Sequence, residues 1–297
     1  MPQWTSVTPD VPAGQNPHGR VTHWRLATVS LPLGPRPAVM GILNVTPDSF
    51  SDGGRFFTIQ SAVDRAKEME DAGARIIDIG GESTRPYSQT VAADEELQRV
   101  VPVLERLQGK LSIPISIDTT KSAVARAAME LGAEIINDVS GLEADPEMVE
   151  IARSTGAGVC AMHRLGPSQS MQDDPQYENC VVEIVEYLRA RDRFLLEAGI
   201  APERICLDPG IGFGKTHEHN LELIRNAGVF HLLRRPILVG HSRKGFIAKA
   251  LGSKDIDRKY GTLGVSLALC AQGIQILRVH DVAAHVQAIQ LFVESRG

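Results

Sequence analysis

The sequence predicts a single-domain α/β protein folded as a (β/α)₈ TIM barrel. Short apolar runs alternate with helical stretches along the 297 residues, which is typical of a parallel sheet buried on both faces. Eight such runs are present, and eight parallel strands close a barrel. Several helices end at a glycine followed by an apolar run, as at Gly73, Gly132, Gly199 and Gly273. That is the stop expected when the last helical turn closes in the left-handed conformation.

The competing architecture is an open, doubly wound sheet. Such a sheet normally has a glycine-rich turn of the G-x-G-x-x-G type after its first strand. No such turn follows the first apolar run, Val39-Met40-Gly41-Ile42-Leu43, so we favour the barrel.

Each predicted element follows from this alternation. The predicted strands are Ala38–Leu43, Arg75–Ile79, Pro114–Ile117, Glu134–Ile136, Gly158–Met162, Ile205–Leu207, Pro236–Val239 and Gln275–Val279. Predicted helices between them include Ser61–Ala72, Asp94–Leu107, Ser122–Leu131, Pro146–Ser154, Tyr177–Ala198 and Gly261–Ala271. Residues 1–19 are rich in Pro, Gly, Asn and Thr and are interpreted as a flexible tail before a barrel domain of residues 20–297. A hairpin or strand within residues 19–30 is expected to plug the bottom of the barrel.

Composition excludes several classes of function. The formal net charge of −5, without a Lys/Arg cluster to offset it, argues against nucleic acid as a partner. No apolar run approaches the ~20 residues of a membrane span. The four cysteines, Cys160, Cys180, Cys206 and Cys270, include no C-x-x-C pair. Their spacing predicts reduced thiols in a cytoplasmic protein rather than disulfides or a zinc site.

Polar residues follow most of the predicted strands. The loop from Asn44 to Gly54 is polar and rich in Gly and Asp, and it lies between a buried strand and a helix, where α/β enzymes place their chemistry. Because the strand ends of a barrel meet at one face, such residues share one pocket. Asp118, Asn137, Asp208 and Lys244 are suited to a heterocycle that has both hydrogen-bond donors and acceptors. A second set is suited to an anion: Asn44, Thr84, Arg278 and His280.

Simpler explanations exist for some of these residues. A single Asp at a strand end is often an N-cap, and Asp138 and Asp281 are better cap candidates than ligands. Four histidines are expected at the surface: His217, His219, His231 and His285. The glycines in Asp208-Pro209-Gly210-Ile211-Gly212-Phe213-Gly214-Lys215 lack the spacing of a phosphate-binding loop and need be no more than loop glycines. The number of polar strand ends meeting at one rim nevertheless favours a site.

The motifs together resemble one enzyme family, the dihydropteroate synthases of the folate pathway, which are (β/α)₈ barrels. The resemblance runs in family order from about Ala38 to the C-terminus. Its matching segments are Gly41–Gly54, Asp78–Pro86, Ser116–Thr119, Ile136–Gly141, Ala161–His163, Leu207–Lys215, Ser242–Lys244 and Arg278–Asp281. The first two and the last are long and specific.

The resemblance implies a transferase reaction and a set of roles. The enzyme would join 6-hydroxymethyl-7,8-dihydropterin diphosphate to para-aminobenzoate, releasing diphosphate, with Mg²⁺ as cofactor and as a homodimer. The implied pterin site is Asp118, Asn137, Met162, Asp208, Phe213 and Lys244. The implied diphosphate site is Asn44, Thr84, Arg278 and His280, with Asn44 also holding the metal. The implied para-aminobenzoate site is Phe50, Ser51, Thr84, Arg85, Pro86 and Gly245. The implied catalytic residues are Asp52, Asp118 and Lys244.

Three positions depart from the usual family pattern. Tyr87 stands where Gly is frequent, Arg164 where a less charged residue is common, and Gly245 where many relatives have Ser. The last change removes a hydroxyl near the expected para-aminobenzoate carboxylate, although the backbone N–H of Gly245 could still bind it. The departures bear on para-aminobenzoate affinity and on the response to sulfonamides, not on the reaction class.

Three rival functions remain. A methyltransferase of the pterin-binding barrel class would share the pterin-gripping Asp and Asn residues but would not need Asn44, Arg278 and His280. A pterin-binding protein without catalysis would be favoured by loss of Asp52 or Arg85, and both are present. A barrel acting on another phosphate ester would lack the combination of pterin-gripping residues.

Overall fold

The protein is a closed barrel of parallel strands surrounded by helices, as the alternating pattern predicts. The computed structural model describes residues 20–46, 59–83, 88, 90–167 and 170–296. The predicted tail, residues 1–19, lies outside the described residues. Two short antiparallel strands, β1 (His23–Arg25) and β2 (Ser30–Pro32), precede the barrel.

Eight parallel strands form the barrel. They are β3 (Ala38–Asn44), β4 (Ile76–Gly80), β5 (Ile115–Asp118), β6 (Ile135–Asp138), β7 (Gly158–Met162), β8 (Ile205–Asp208), β9 (Leu238–Val239) and β10 (Ile276–Val279). Neighbouring strands pair in the order β8-β7-β6-β5-β4-β3-β10-β9. A parallel bridge between Leu207 and Ile237 joins β8 to the chain entering β9 and closes the ring.

Helices cover the outside of the barrel. In the described part of the chain they are α1 (Ile59–Asp71), α2 (Ala93–Leu107), α3 (Ser122–Glu130), α4 (Met148–Thr155), α5 (Cys180–Glu197), α6 (His217–Arg225), α7 (Gly245–Ala250), α8 (Lys259–Ala271) and α9 (Val282–Glu294). Short 3₁₀ helices lie at Pro202–Arg204 and Ala227–Leu233. The predicted boundaries differ from these by no more than three residues. Gly73, Gly132, Gly199 and Gly273 all have positive φ, which confirms the predicted helix stops.

The β1–β2 hairpin closes the bottom of the barrel, as expected. Trp24, Leu26, Leu31 and Leu33 are buried against inward-facing strand residues. Those strand residues are Ala38, Met40, Ile76, Ile135, Cys160, Cys206, Leu238 and Ile276. The indole Nε1 of Trp24 donates to the carbonyl oxygen of Arg204 at 2.8 Å, so the one polar atom of the ring is paired inside the plug.

The surface prediction is wrong for two histidines. His231 and His285 are both buried. Nε2 of His231 lies 3.1 Å from the carbonyl oxygen of Gln272, and Nδ1 of His285 lies 2.6 Å from that of Asp281. Each ring therefore satisfies a backbone carbonyl beneath the outer helices.

Neither aspartate caps a helix with its side chain, so both cap predictions are wrong. Oδ1 of Asp138 accepts from the backbone N–H and the hydroxyl of Ser140, both at 2.6 Å, and so holds the turn after β6, whereas the residue before α4 is Glu147. Asp281 does occupy the position before α9, but its side chain makes no cap hydrogen bond. Its carboxylate binds Arg243 instead. No helix within the described ranges combines the length and the apolar character that a membrane span requires.

Candidate active site

Charged and amide side chains meet inside the upper end of the barrel. Asp78 on β4, Asp118 on β5, Asn137 on β6 and Asp208 on β8 are all buried at the carboxyl ends of their strands. Arg278 on β10 projects among them. Asp78, Asn137, Asp208 and Arg278 each stand two residues beyond a strand residue that packs in the apolar cluster at the bottom of the barrel. Side chains alternate along a strand, so both residues of each pair face the barrel interior. The strand register therefore places these groups in one pocket.

Arg278 binds two of the carboxylates. Its Nε donates to Oδ2 of Asp78 and its Nη2 to Oδ2 of Asp118, each at 2.5 Å. Nδ2 of Asn137 donates to the same Asp78 oxygen at 3.1 Å. Asp78 is thus the acceptor that orients both Arg278 and Asn137. In the sequence, Asp78 is only the first residue of the segment Asp78–Pro86, and its role could not be predicted because its partners lie 59 and 200 residues away in the chain.

The pocket keeps acceptors that the protein leaves open. Oδ1 of Asp78 and Oδ1 of Asp118 make no hydrogen bond to any residue that the structure describes. Burial raises the pKa of the Asp118 carboxyl to about 7, against the attraction of Arg278. Burial would lower the pKa of Arg278, but the carboxylates of Asp78 and Asp118 outweigh this and raise it. Buried acceptors without partners are costly, so their presence at one rim indicates a binding site for hydrogen-bond donors.

The loop after β8 brings Asp208 and Phe213 into the same pocket. Oδ1 of Asp208 accepts from Gly210 N–H at 2.7 Å, and burial raises the pKa of this carboxyl. Gly210 has φ of +69°, and a Cβ there would lie 1.9 Å from the carbonyl oxygen of His163. The residue must therefore be glycine for a steric reason, which agrees with its interpretation as a loop glycine with a structural role.

Lys244 reaches this loop from the other side. It precedes α7, and its Nζ donates to the carbonyl oxygen of Ile211 and lies 4.4 Å from the centroid of the Phe213 ring. Burial lowers the pKa of Lys244 to about 7, against the attraction of Asp208. Met162 and Phe213 pack in one apolar cluster with Val139 and Met171. The six residues expected to hold a pterin thus lie together, with apolar walls beside the charged groups.

A buried lysine behind the pocket was missed by the sequence analysis. Nζ of Lys215 lies 2.9 Å from Nδ1 of His163 and donates to the carbonyl oxygen of Phe213 at 2.9 Å. Burial lowers the pKa of Lys215 to about 7 and, together with the charge of Lys215, lowers that of His163 to about 2. The neutral imidazole accepts from the ammonium. The signal was present in the sequence, since Lys215 ends the segment Gly210–Lys215 that passes beside the pocket.

Two of the expected anion-binding residues, Asn44 and His280, lie at the rim, and Thr84 lies outside the described residues. Asn44 ends β3, and Nδ1 of His280, just after β10, lies 2.9 Å from the hydroxyl of Ser242. Ser242 also accepts from His280 N–H at 3.3 Å. Arg278 lies deeper than the anion prediction implies, because both Asp78 and Asp118 hold its guanidinium. Its role as an anion ligand stays a prediction.

Most of the expected para-aminobenzoate site lies outside the described residues. These positions are Phe50, Ser51, Thr84, Arg85 and Pro86. The implied catalytic residue Asp52 and the departure at Tyr87 also lie outside the described residues. Gly245 is described and is the exposed first residue of α7. The chain just before position 84 is tied down: Lys121 binds Glu82 and the buried Glu96, and Arg99 donates to the carbonyl oxygen of Gly81 at 2.6 Å.

The pocket can bind a flat heterocycle that offers several N–H donors. Carboxylates of Asp118 and Asp208 accept, the Lys244 ammonium donates, and the Phe213 ring supplies an apolar face. Opposite charges in a buried site also allow the protein to stabilise charge that develops during a reaction.

Comparisons with known proteins agree with this geometry. A family model described as pterin binding enzyme matches residues 40–280. The dihydropteroate synthase of Synechocystis sp. is 46% identical over 255 residues, covering 86% of this chain and 88% of the relative. A crystal structure of Yersinia pestis dihydropteroate synthase with a sulfonamide drug complex has a TM-score of 0.87 and 41% identity, covering 92% of this chain and 99% of that chain.

A second structure is that of Burkholderia cenocepacia dihydropteroate synthase complexed with 7,8-dihydropteroate. It has a TM-score of 0.83 and 39% identity and covers 93% of this chain and 96% of that chain. Family model, relatives and structures span the barrel and the pocket together. The chain therefore belongs to the pterin-binding enzyme family and, within it, to the dihydropteroate synthases.

Proposed function

We propose that this protein is a transferase that joins 6-hydroxymethyl-7,8-dihydropterin diphosphate to para-aminobenzoate, giving 7,8-dihydropteroate and diphosphate in folate biosynthesis. The observation that carries the proposal is the buried pocket in which Asp118, Asn137 and Asp208 surround Arg278 and Lys244. A barrel for another phosphate ester has no need of so many unpaired acceptors deep inside the ring.

The pterin would bind through its ring nitrogens. Asp208 and Asp118 supply the acceptors, and Oδ1 of Asp118 is open for a donor. Asn137 and Lys244 supply N–H donors, although one N–H of Asn137 is already used by Asp78. Met162 and Phe213 would contact the faces of the ring. Burial of charged partners makes each hydrogen bond stronger than it would be in water.

The diphosphate would bind at the rim, near Asn44, Thr84, Arg278 and His280. A Cβ at Gly80 would lie 3.7 Å from both Oδ1 of Asn44 and Oδ2 of Asp118, so an amide oxygen and a carboxylate border the same space. Because Arg278 already binds Oδ2 of Asp118, the amide oxygen of Asn44 is the protein oxygen that would hold Mg²⁺, which binds through substrate phosphates and few protein oxygens. When bound, Mg²⁺ would neutralise part of the charge on the leaving diphosphate. Full turnover in the presence of EDTA would contradict this assignment.

Departure of diphosphate leaves positive charge on the pterin methylene. The carboxylates of Asp118 and Asp52 are assigned to stabilise that charge, and Lys244 holds the ring in place. The amine of para-aminobenzoate then attacks the methylene and loses a proton. No protein nucleophile is needed for this sequence of steps.

The decisive experiment measures diphosphate release from pterin diphosphate with and without para-aminobenzoate. We expect release that requires para-aminobenzoate and equals dihydropteroate formed. The Asp118→Asn variant should lose most of this activity, whereas Asp71→Asn, at an exposed position on α1, serves as the matched control. Release independent of para-aminobenzoate would indicate a hydrolase, and binding without release a pterin-binding protein. Methyl transfer from a folate to a corrinoid would support the methyltransferase alternative.

Sulfonamides should compete with para-aminobenzoate at this site. A sulfonamide drug complex is described for the Yersinia pestis relative. The departures at Tyr87 and Gly245 lie at the expected para-aminobenzoate site, so inhibition constants should differ from those of relatives with Gly and Ser there.

We also assign a homodimer. The sequence of α8, from Lys259 to Ala271, is mostly apolar, yet only Thr262, Ser266, Leu269 and Cys270 are buried in the single chain. Tyr260 on α8 and Leu291 on α9 are 76% and 68% exposed. Light scattering coupled to size-exclusion chromatography should give twice the mass of the chain, and a monomer at micromolar concentration would contradict the assignment.

A cytoplasmic location is proposed from the cysteines. All four are buried free thiols. Thiols that stay reduced are typical of a reducing compartment. Fractionation that recovers the enzyme outside the cytoplasm would contradict this proposal.

A further inference from the structure

Two neighbouring loops at the active-site rim are joined to each other at two points. The loop after β9 contains Ser242 and Arg243, and the loop after β10 contains His280 and Asp281. Ser242 Oγ lies 2.9 Å from Nδ1 of His280. The guanidinium of Arg243 binds the Asp281 carboxylate, with Nη2 at 2.8 and 2.9 Å from the two oxygens and Nε at 3.2 Å from one of them.

The backbone of Arg243 is held in an unusual conformation. Its φ is +57°, in the left-handed region that favours glycine. Its N–H donates to Oγ1 of Thr262 at 3.1 Å, and its carbonyl oxygen accepts from Nη1 of Arg258 at 3.0 Å. Contacts from the start of α8 and from Asp281 therefore hold Arg243 in a strained backbone conformation. Strain that is maintained in this way is typical of functional sites.

The strained residue directly precedes Lys244. Its backbone conformation decides where the Lys244 side chain leaves the chain, and that side chain reaches Ile211 and Phe213 in the pocket. On the other loop, Asp281 directly follows His280. The Arg243–Asp281 pair thus links the two loops beside the expected site. Arg243 precedes Lys244 of the pterin site, and Asp281 follows His280 of the anion site.

Stability does not explain the pair. The side chain of Arg243 is 49% exposed and that of Asp281 is 18% exposed, and an ion pair that solvent reaches on one side contributes little to folding. Asp281 stands at the N-terminus of α9, where its carboxylate could cap the helix, yet it turns to Arg243 instead. The remaining explanation is that the pair positions the residues beside it.

We propose that the Arg243–Asp281 ion pair is a positioning element that sets the spacing between the pterin-gripping Lys244 and the diphosphate-binding His280. The inference rests on the proposed function, since it needs a ligand that spans both loops. Neither Arg243 nor Asp281 contacts the reacting atoms. The pair acts through the residues beside it, and its loss should separate recognition of the heterocycle from recognition of the attached anion.

The test compares Arg243→Ala, Asp281→Asn, the double variant and Arg243→Gly. Arg153→Ala is the matched control, since it removes an exposed, bidentate Arg–Glu pair on α4. Each variant is assayed for the Michaelis constants of both substrates. Calorimetry measures binding of the pterin with and without its diphosphate. Thermal melting confirms that each variant is folded.

We expect Arg243→Ala and Asp281→Asn to raise the Michaelis constant for pterin diphosphate roughly 10- to 100-fold, because small misplacements in a site have effects of that size. Affinity for the pterin without diphosphate should change much less. The double variant should be no worse than either single variant, as for two members of one unit. Arg243→Gly should lose less than Arg243→Ala, because glycine adopts the left-handed conformation without strain.

Three results would overturn the inference. Unchanged kinetics in Arg243→Ala would do so, as would additive losses in the double variant. Loss in Arg243→Ala with a normal Asp281→Asn would mean that Arg243 touches the substrate directly. A wild type that forms no dihydropteroate would instead refute the proposed function, and the inference with it.

Discussion

The two ends of the barrel interior differ although they are built from the same strands. On four of these strands, an inward-facing residue at the bottom and one at the top are only two positions apart. The pairs are Ile76 and Asp78, Ile135 and Asn137, Cys206 and Asp208, and Ile276 and Arg278. The bottom layer is apolar and is closed by the β1–β2 hairpin. The top layer is polar and retains unpaired acceptors.

This difference separates stability from function along the barrel axis. At the bottom, apolar groups are packed and the buried Trp24 N–H is paired. At the top, burial shifts the pKa values of Asp118, Lys215 and Lys244 to about 7. The upper layer holds charges at a cost in folding free energy, which the lower layer and the outer shell of helices must offset. Substitutions at the two ends should therefore have different signatures.

The largest effect is expected at the bottom plug. Trp24→Ala should lower the free energy of unfolding by about 3–5 kcal/mol, because it leaves a cavity under the strands. Trp24→Phe should cost less, since it keeps an aromatic ring and loses mainly the hydrogen bond to Arg204. Urea unfolding measures both. Below the melting temperature the Michaelis constants should stay near the wild-type values, and a large change in them would show that the two ends are not separable.

The next effect is expected at the top of the same barrel. Asp208→Asn should weaken pterin binding by roughly 1.5–3 kcal/mol, because an amide can match the carboxylate only in part. The amide oxygen can still accept from Gly210, so the turn should survive. Cys206→Ala, two residues earlier on β8, is the matched control and should change stability but not affinity. Calorimetric titration with a pterin decides, and unchanged affinity for Asp208→Asn would remove this residue from the site.

A smaller effect concerns pH and the buried Lys215. The pKa of Lys215 is lowered to about 7 in the folded protein, from the ordinary value of 10.5. Between these pH values the unfolded chain binds more protons, so rising pH stabilises the folded state. Below about pH 7 the lysine is protonated in both states, and its contribution no longer changes with pH.

Lys215→Met should remove this pH dependence. Between about pH 7 and 8.5, the free energy of unfolding of the wild type should rise relative to that of the variant by roughly 1 kcal/mol per pH unit, as measured by urea unfolding. Lys67→Met, at an exposed position of α1, serves as the control and should follow the wild type. If the free energies of unfolding of the wild type and Lys215→Met change with pH in the same way, the lowered pKa of Lys215 would be contradicted.

The smallest effect is expected from adding a hydroxyl at the rim. A Cβ at Gly245 meets no atom within 4 Å, so Gly245→Ser should be accommodated. If the hydroxyl reaches the carboxylate of para-aminobenzoate, the Michaelis constant for that substrate should fall by the equivalent of roughly 1 kcal/mol. Gly34→Ser, equally open at the opposite end of the barrel, is the control. A rise in the constant would place the carboxylate elsewhere.

The sequence was sufficient for features that repeat locally. Strands such as Ile76–Gly80 are continuous apolar runs, and helix ends such as Gly73 depend on a single residue's φ. Asp118, Asn137 and Asp208 could be placed in the pocket because each directly follows or ends such a run, and the assignment of these residues to a pterin stays a prediction. The hairpin plug was predicted within residues 19–30, before the first barrel strand, and its two strands span His23–Arg25 and Ser30–Pro32.

What the sequence could not supply is the choice among distant partners. Arg278 was expected at an anion, but it lies between Asp78 and Asp118, which are remote in the chain. Asp281 was expected to cap α9, but a competing cation on another loop takes its carboxylate. His231 and His285 are buried because neighbouring segments cover them, which no local pattern reports. Roles assigned to residues 50–52 and 84–86 stay predictions.

The joint between β8 and β9 gives the barrel a seam. There the strands meet through the bridge of Leu207 and Ile237, with the N–H of Leu207 donating to Pro236 at 3.0 Å. Just above it, Lys244 from one side holds the carbonyl oxygen of Ile211 from the other. A molecule that binds both Asp208 and Lys244 would link the two sides of this seam. Bound substrate should therefore stabilise the pairing of β8 and β9 against local opening, and the backbone amides along the seam should exchange with solvent more slowly.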